Sequence, residues 1–257
     1  MRILSLALVL CLVVVLTASG QGVAQPQSAA DLDAVLRGWE KGMTDLRTFV
    51  ADVNRTTLDK SLGARDEFQG YAMFKKAEGA AATSRARLEL AKVKNTNLFE
   101  KFICTGIYLY EYAPANNKVR VHNMPQQQNG QQQQSFLSFL FGMGAKDAKQ
   151  RYDMVLDSNS AKDVNYYYIH VKPKLPHDKT DFTQARLTLY RNNSLPAQIW
   201  YHQPNGNEIT WNFTKLQIDV QIPPEFFEPA IPKGWVMERV QPKGDPEIAP
   251  AVRKPGS

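Results

Sequence analysis

Several features are scarce in this chain, and each scarcity excludes a class of protein. Cysteine occurs twice in 257 residues. Cys11 falls in an apolar leader, so a mature chain would keep Cys104 alone and could form no internal disulfide. Beyond Leu16 no apolar run approaches the ~20 residues that a membrane-spanning helix needs. Charge of one sign never gathers. The 31 Lys and Arg stand against 25 Asp and Glu, a formal net charge of +6, and the basic residues form no run or stripe suited to nucleic acid. Nucleic acid is therefore not an expected partner. No Walker loop, GxGxxG, GxSxG or HExxH occurs, so nothing in the sequence points to a cofactor, a metal or an elbow serine. The four histidines are His122, His170, His177 and His202. His170 and His177, even with Asp178 and Asp181 nearby, lack the short spacing of a ligand pair and read as solvated or hydrogen-bonded.

What is present begins with an export signal. Arg2 precedes the apolar stretch from Ile3 to Leu16, and small residues follow at Ala18-Ser19-Gly20 and Gly22-Val23-Ala24. This is the pattern of a signal peptide over residues 1–24, with an uncleaved anchor as the other reading, and an exported, soluble mature chain is expected.

The rest reads as one structured domain, residues 28–240. Ser28 opens a helix in which Leu32, Val35, Leu36, Trp39 and Met43 recur at helical spacing. From Phe49 the period becomes two. Ala86, Leu88 and Leu90 alternate with Arg85, Arg87 and Glu89, the mark of a sheet with one apolar face. Strands at 98–104, 107–112 and 118–121 follow with short connections, as in an antiparallel meander. Residues 126–134 hold seven glutamines and read as a mobile loop. Ser135 to Gly144 is a greasy, helix-like segment. Further strands are expected at 153–156, 164–172, 185–190, 197–202 and 209–216, with Asn205-Gly206 as a hairpin turn. Residues 241–257 read as a disordered Pro-rich tail. Cys104 lies in a strand pattern, as a small buried hydrophobe.

The order of these signals resembles the LolA-like periplasmic lipoprotein carriers. Gly70-Tyr71-Ala72-Met73-Phe74-Lys75-Lys76 looks like that family's strand ending in Lys-Arg-Pro. Thr105 to Pro114, TGIYLYEYAP, is similar to its Asp-Gly-x-x-Leu-Trp-x-Tyr-x-Pro hairpin. Ser135 to Gly144 stands where the family places a lid helix. The resemblance implies a mainly β fold with short helices: a strongly curved, antiparallel, half-open β-barrel whose N-terminal helix and lid helix cover the concave face. It implies a non-catalytic carrier that takes up the acyl chains of a lipoprotein or lipid, and partners among inner- and outer-membrane lipoprotein-sorting proteins. Leu88, Leu90, Leu109, Tyr110, Phe136, Leu137, Phe139 and Leu140 are the lining and lid residues expected on that basis. Lys76 stands where the family's lid-holding arginine falls. The expected protein is a monomer. Two other readings are an envelope sensor or interaction module with a filled core, and an envelope hydrolase built on His170 or His202.

Overall fold

The structure, a computed structural model, describes residues 29–79, 83–124 and 144–240. The leader, the glutamine tract, the segment from Ser135 to Met143 and the tail lie outside the described residues.

Two helices and twelve strands make up the described fold. Helix α1 runs Ala29–Asp45 and helix α2 runs Ala145–Arg151. The strands are β1 Thr48–Asp59, β2 Ala64–Lys75, β3 Arg85–Lys92, β4 Asn95–Cys104, β5 Tyr108–Ala113 and β6 Lys118–Asn123, then β7 Tyr152–Leu156, β8 Tyr166–Pro173, β9 Gln184–Tyr190, β10 Pro196–His202, β11 Glu208–Ile218 and β12 Val236–Val240. They form one sheet in the order β12-β6-β5-β4-β3-β2-β1-β11-β10-β9-β8-β7. Each described neighbour pair is antiparallel except the last strand, which lies parallel to β6. The expected all-antiparallel sheet is corrected on this point: Pro232 and Gly234 turn the chain so that Val236–Val240 enters the sheet beside β6 in the same direction.

Register divides the sheet into two faces, because side chains directly opposite one another share a face and successive ones alternate. Leu36 and Trp39 of α1 are fully buried, and with Leu32 and Val35 they pack on Ile169, Leu187, Leu189 and Ile199. That inner face carries the larger core, which draws its strand residues from β7 to β11. Lys149 of α2 pairs with Asp33 of α1 at 2.6 Å, holding the two helices together.

Two observations show the inner face to be strongly concave. Arg55 on β1 forms a two-pronged ion pair with Glu100 on β4, both bonds 2.6 Å long. Those strands stand three positions apart, roughly 14 Å at the usual strand spacing, so their side chains converge across β2 and β3. Between them lies Gly70 of β2, where an added Cβ would sit 1.9 Å from the Glu89 carbonyl oxygen of β3. Only a residue without a side chain lets β2 and β3 close up there.

The outer face has its own cover. After β11 the chain crosses it as a strap. Thr48 Oγ1 donates to the Val220 carbonyl at 2.7 Å, Arg87 donates to the Phe226 carbonyl at 2.9 Å, and the Tyr112 hydroxyl donates to the Ala230 carbonyl at 2.9 Å. Trp235 then stacks on Phe99 and packs against Tyr112, with ring centroids 6.1 and 6.2 Å away. Beneath the strap, Ile103, Tyr112 and Val119 form a second apolar cluster. Beside it, Tyr71 and Arg87 converge on the Glu89 carboxylate. The helices thus cover the inner face of β7 to β11, and the strap covers the outer face of β3 to β6.

Candidate functional site

The inner face of β2 to β5 extends the sheet's concave surface beyond the helices' cluster. Its rows follow directly from register. Ala72, Leu88 and Phe102 lie side by side on three strands, and Phe74, Ala86, Cys104 and Leu109 on four. A third row holds Gly70, Leu90 and Glu100. Leu90 is buried, whereas Leu88, Phe102 and Leu109 are half-buried. The Phe49 ring stacks on Phe74 at 5.8 Å, extending the apolar surface toward β1.

Charged groups bound this apolar strip on two sides. On one side the Arg55 guanidinium, tied to Glu100, lies 4.5 Å from the centre of the Phe68 ring and 5.3 Å from that of Trp211. Such a cation over aromatic faces is held partly by the ring quadrupoles. On the other side Glu111 of β5 pairs with Arg120 at 3.0 Å and with His122 at 2.9 Å, both on β6. The arrangement suits a hydrocarbon surface with polar ends. Burial pushes the Cys104 thiol above its ordinary pKa, which keeps it a thiol and a poor nucleophile near neutrality.

Leu88, Leu90 and Leu109 lie on this same face. Tyr110 does not join them. It pairs with Ile103 and Val121, on the opposite face, and packs into the cluster beneath the strap. The period of two requires this, since Leu109 and Tyr110 are adjacent in one strand. Lys76 donates to the Thr44 carbonyl in the last turn of α1, where a cation meets the unsatisfied carbonyl end of a helix. Phe136, Leu137, Phe139 and Leu140 lie outside the described residues.

The histidines separate from one another. His170 meets Asp157 at 2.6 Å, His177 meets Asp178 at 3.4 Å, and His202 Nδ1 lies 3.0 Å from Thr183 Oγ1. Asp157 is also committed to its own turn, accepting from the Asn159 N–H at 2.8 Å. Among the described residues no group of three or more His, Cys, Asp or Glu could hold a metal ion. Arg55 and Glu100 border the candidate site, and sequence reasoning passed over them. Their signal was available: each occupies an inward position of a strand, where an uncompensated charge is costly, so each required a partner.

Fold and site together define an open, curved sheet with a half-buried apolar strip on its inner face. Neither a family model nor a curated protein sequence matches the chain. Solved structures do. One is Pseudomonas aeruginosa MucB in its complex with MucA, at 11% identity over 78% of this chain, with a TM-score of 0.43. This chain spans 61% of the length of that one. Another is an uncharacterized conserved protein from Thermus thermophilus, at 10% identity over 82% of this chain and 99% of that one, TM-score 0.48. A third is a LolA superfamily protein from Nitrosomonas europaea, at 12% identity over 76% and 96% of the two chains, TM-score 0.34. LolA superfamily structures are thus among those this chain resembles. Among the described residues no helix is long and apolar enough to cross a membrane.

Proposed function

We propose that the protein is a soluble periplasmic carrier that binds acyl chains of a lipid or lipoprotein in the hollow of its sheet, without covalent chemistry. The observation that supports this reading is the half-buried apolar strip formed by Ala72, Phe74, Leu88, Phe102 and Leu109, which continues past the cluster that carries α1 and α2. Each methylene of a guest chain laid on that strip would contribute about 0.8 kcal/mol. A chain of modest length would therefore bind reversibly, as a shuttle requires. The flanking ion pairs give a polar headgroup somewhere to sit outside the apolar strip. Donor and acceptor proteins at the inner and outer membranes would exchange cargo with it, and it would act as a monomer.

Purification of the mature protein followed by mass spectrometry of extracted lipid tests this reading. Bound acyl species are the expected result, together with saturable uptake of a fluorescent fatty-acid probe. Leu88→Glu places a charge in the middle of the strip and is expected to weaken probe binding at least tenfold while leaving the helix content unchanged. Lipid-free protein that also ignores the probe would overturn the carrier reading and leave an interaction module with a self-filled interior.

A further inference from the structure

The outer face of β8 to β11 lies on the opposite side of the sheet from the acyl hollow and away from the strap. A groove of ≈730 Å³ runs across it. One wall is the β7–β8 connection, with Asp157, Asn159, Lys162 and Asp163. The floor is a row in register: Tyr168, Thr188, Gln198 and Asn212, on four successive strands. Arg186, Tyr166 and Tyr190 complete the lining. Arg191 anchors the wall by donating to the Asp163 carbonyl at 2.8 Å and to the Ser160 carbonyl.

The floor groups are fixed before any ligand arrives. Arg186 donates to Gln198 at 3.1 Å, and Gln198 donates to Asn212 at 2.8 Å, so the amides cannot flip freely. Tyr168 donates to Asp163 at 2.5 Å. Two polar atoms on this floor nevertheless have no hydrogen-bond partner in the protein: the Thr188 hydroxyl, on a residue only 5% exposed, and Arg186 Nε. Buried polar groups are ordinarily paired, and each exception calls for an explanation.

We propose that this groove binds a neutral oligosaccharide. Charge argues for neutrality, because Asp157 and Asp163 oppose Lys162 and Arg186 and the formal charges cancel. The mixture of fixed acceptors, fixed amides and a buried hydroxyl suits a ligand whose own hydroxyl groups donate and accept at once. Tyr166 lies 5.5 Å from Tyr190 and 6.3 Å from Tyr168 by ring centroid, giving an aromatic surface for the C–H face of a sugar ring. An isolated anion would find one terminal nitrogen of Arg186 already donating to Gln198 and two carboxylates beside it.

Calorimetric titration of the full chain with chitotetraose and with maltotetraose, and with inorganic phosphate as an ionic probe, tests the assignment. Saturable binding of at least one tetrasaccharide is expected, with Kd below about 1 mM. Thr188→Val keeps the shape and removes the hydroxyl. It is expected to weaken that binding about three- to tenfold without lowering the unfolding temperature. Tyr166→Ala is expected to weaken it further. Prior saturation with a fatty-acid probe should leave sugar binding unchanged, since the two sites occupy opposite faces. The proposal fails if neither tetrasaccharide saturates by about 10 mM, if phosphate binds more tightly than both, or if Thr188→Val binds like the parent chain.

Discussion

The ion pair between Arg55 and Glu100 offers the sharpest test of the curvature on which the hollow depends. Its two bonds are both 2.6 Å, with Arg55 15% and Glu100 33% exposed at the side chain. Breaking a fully buried pair by removing one partner costs about 3–5 kcal/mol, whereas an exposed pair is worth about 0–1 kcal/mol. Partial solvation of Glu100 places this pair between those limits. Glu100→Ala, which strands the guanidinium over Phe68 and Trp211, should cost about 2 kcal/mol. Arg55→Met keeps most of the stem packing and leaves the more solvated partner alone, for about 1 kcal/mol. Combining the two substitutions removes the unpaired charge and should cost only about 1 kcal/mol, because apolar replacements of buried pairs are far better tolerated than a stranded charge. The coupling energy of the cycle is then about 2 kcal/mol. Urea unfolding followed by tryptophan fluorescence measures it, with Trp211 only 5.3 Å from the guanidinium. The doubly substituted chain should also bind an acyl probe more tightly, since its apolar strip is wider. A coupling below about 0.5 kcal/mol would mean that water screens the pair, and the inference from its geometry to a closed-in concave face would fall.

Three further outcomes are expected. Gly70→Ala should destabilise the fold by several kcal/mol in the same urea assay, because its Cβ would meet the Glu89 carbonyl at 1.9 Å and β2 and β3 would have to separate; an unchanged midpoint would show that the strands yield easily. Trp235→Ala should cost about 2 kcal/mol, less than for a fully buried indole because the residue is half-buried, and should increase proteolysis between residues 219 and 235. A protected strap in that variant would mean that the backbone bonds alone hold it. Finally, burial pushes the Tyr71 and Tyr152 phenols up to about 12, for Tyr71 with help from the Glu89 carboxylate. Their folded pKa exceeds the unfolded value near 10, so the stabilisation is complete below pH ~10 and is lost as pH rises toward 12. Absorbance at 295 nm should show at least two of the ten tyrosines un-ionised until the fold opens; titration of all ten near pH 10 in a folded chain would contradict this.

Much of the architecture was legible in the alternation of residues. Leu88 and Leu90 against Arg87 and Glu89 define the two faces of β3, and the helical stripe of α1 marks the only described helix long enough to seat a core. The same rule, applied one step further, sends Tyr110 to the face opposite Leu109, so its grouping with the lining followed from motif likeness and ran against the period. Other features depend on contacts between distant parts of the chain. Nothing near Arg55 announces Glu100, because the partnership exists only once β2 and β3 bend between them. The parallel β12 is equally hidden: Val236–Val240 is short, mostly exposed and follows Pro and Gly, and only the strap's path delivers it to β6. The amide row on the outer face also requires register, since Thr188, Gln198 and Asn212 look like ordinary solvent-facing positions one strand at a time.

The way β12 closes against β6 bears on how the chain reaches its final form. Lys118 and Glu238, which bridge the two strands at 3.0 Å, are 120 positions apart. Until residues 236–240 arrive, β6 presents a bare ladder of amides and carbonyls to whatever is nearby. Joining such remote segments is slow, and a partly assembled sheet with an unsealed border is prone to recruit strands from other molecules. A ribosome-stalled or truncated version ending before Trp235 should therefore self-associate more readily, since it uncovers the Ile103, Tyr112 and Val119 cluster together with the β6 edge.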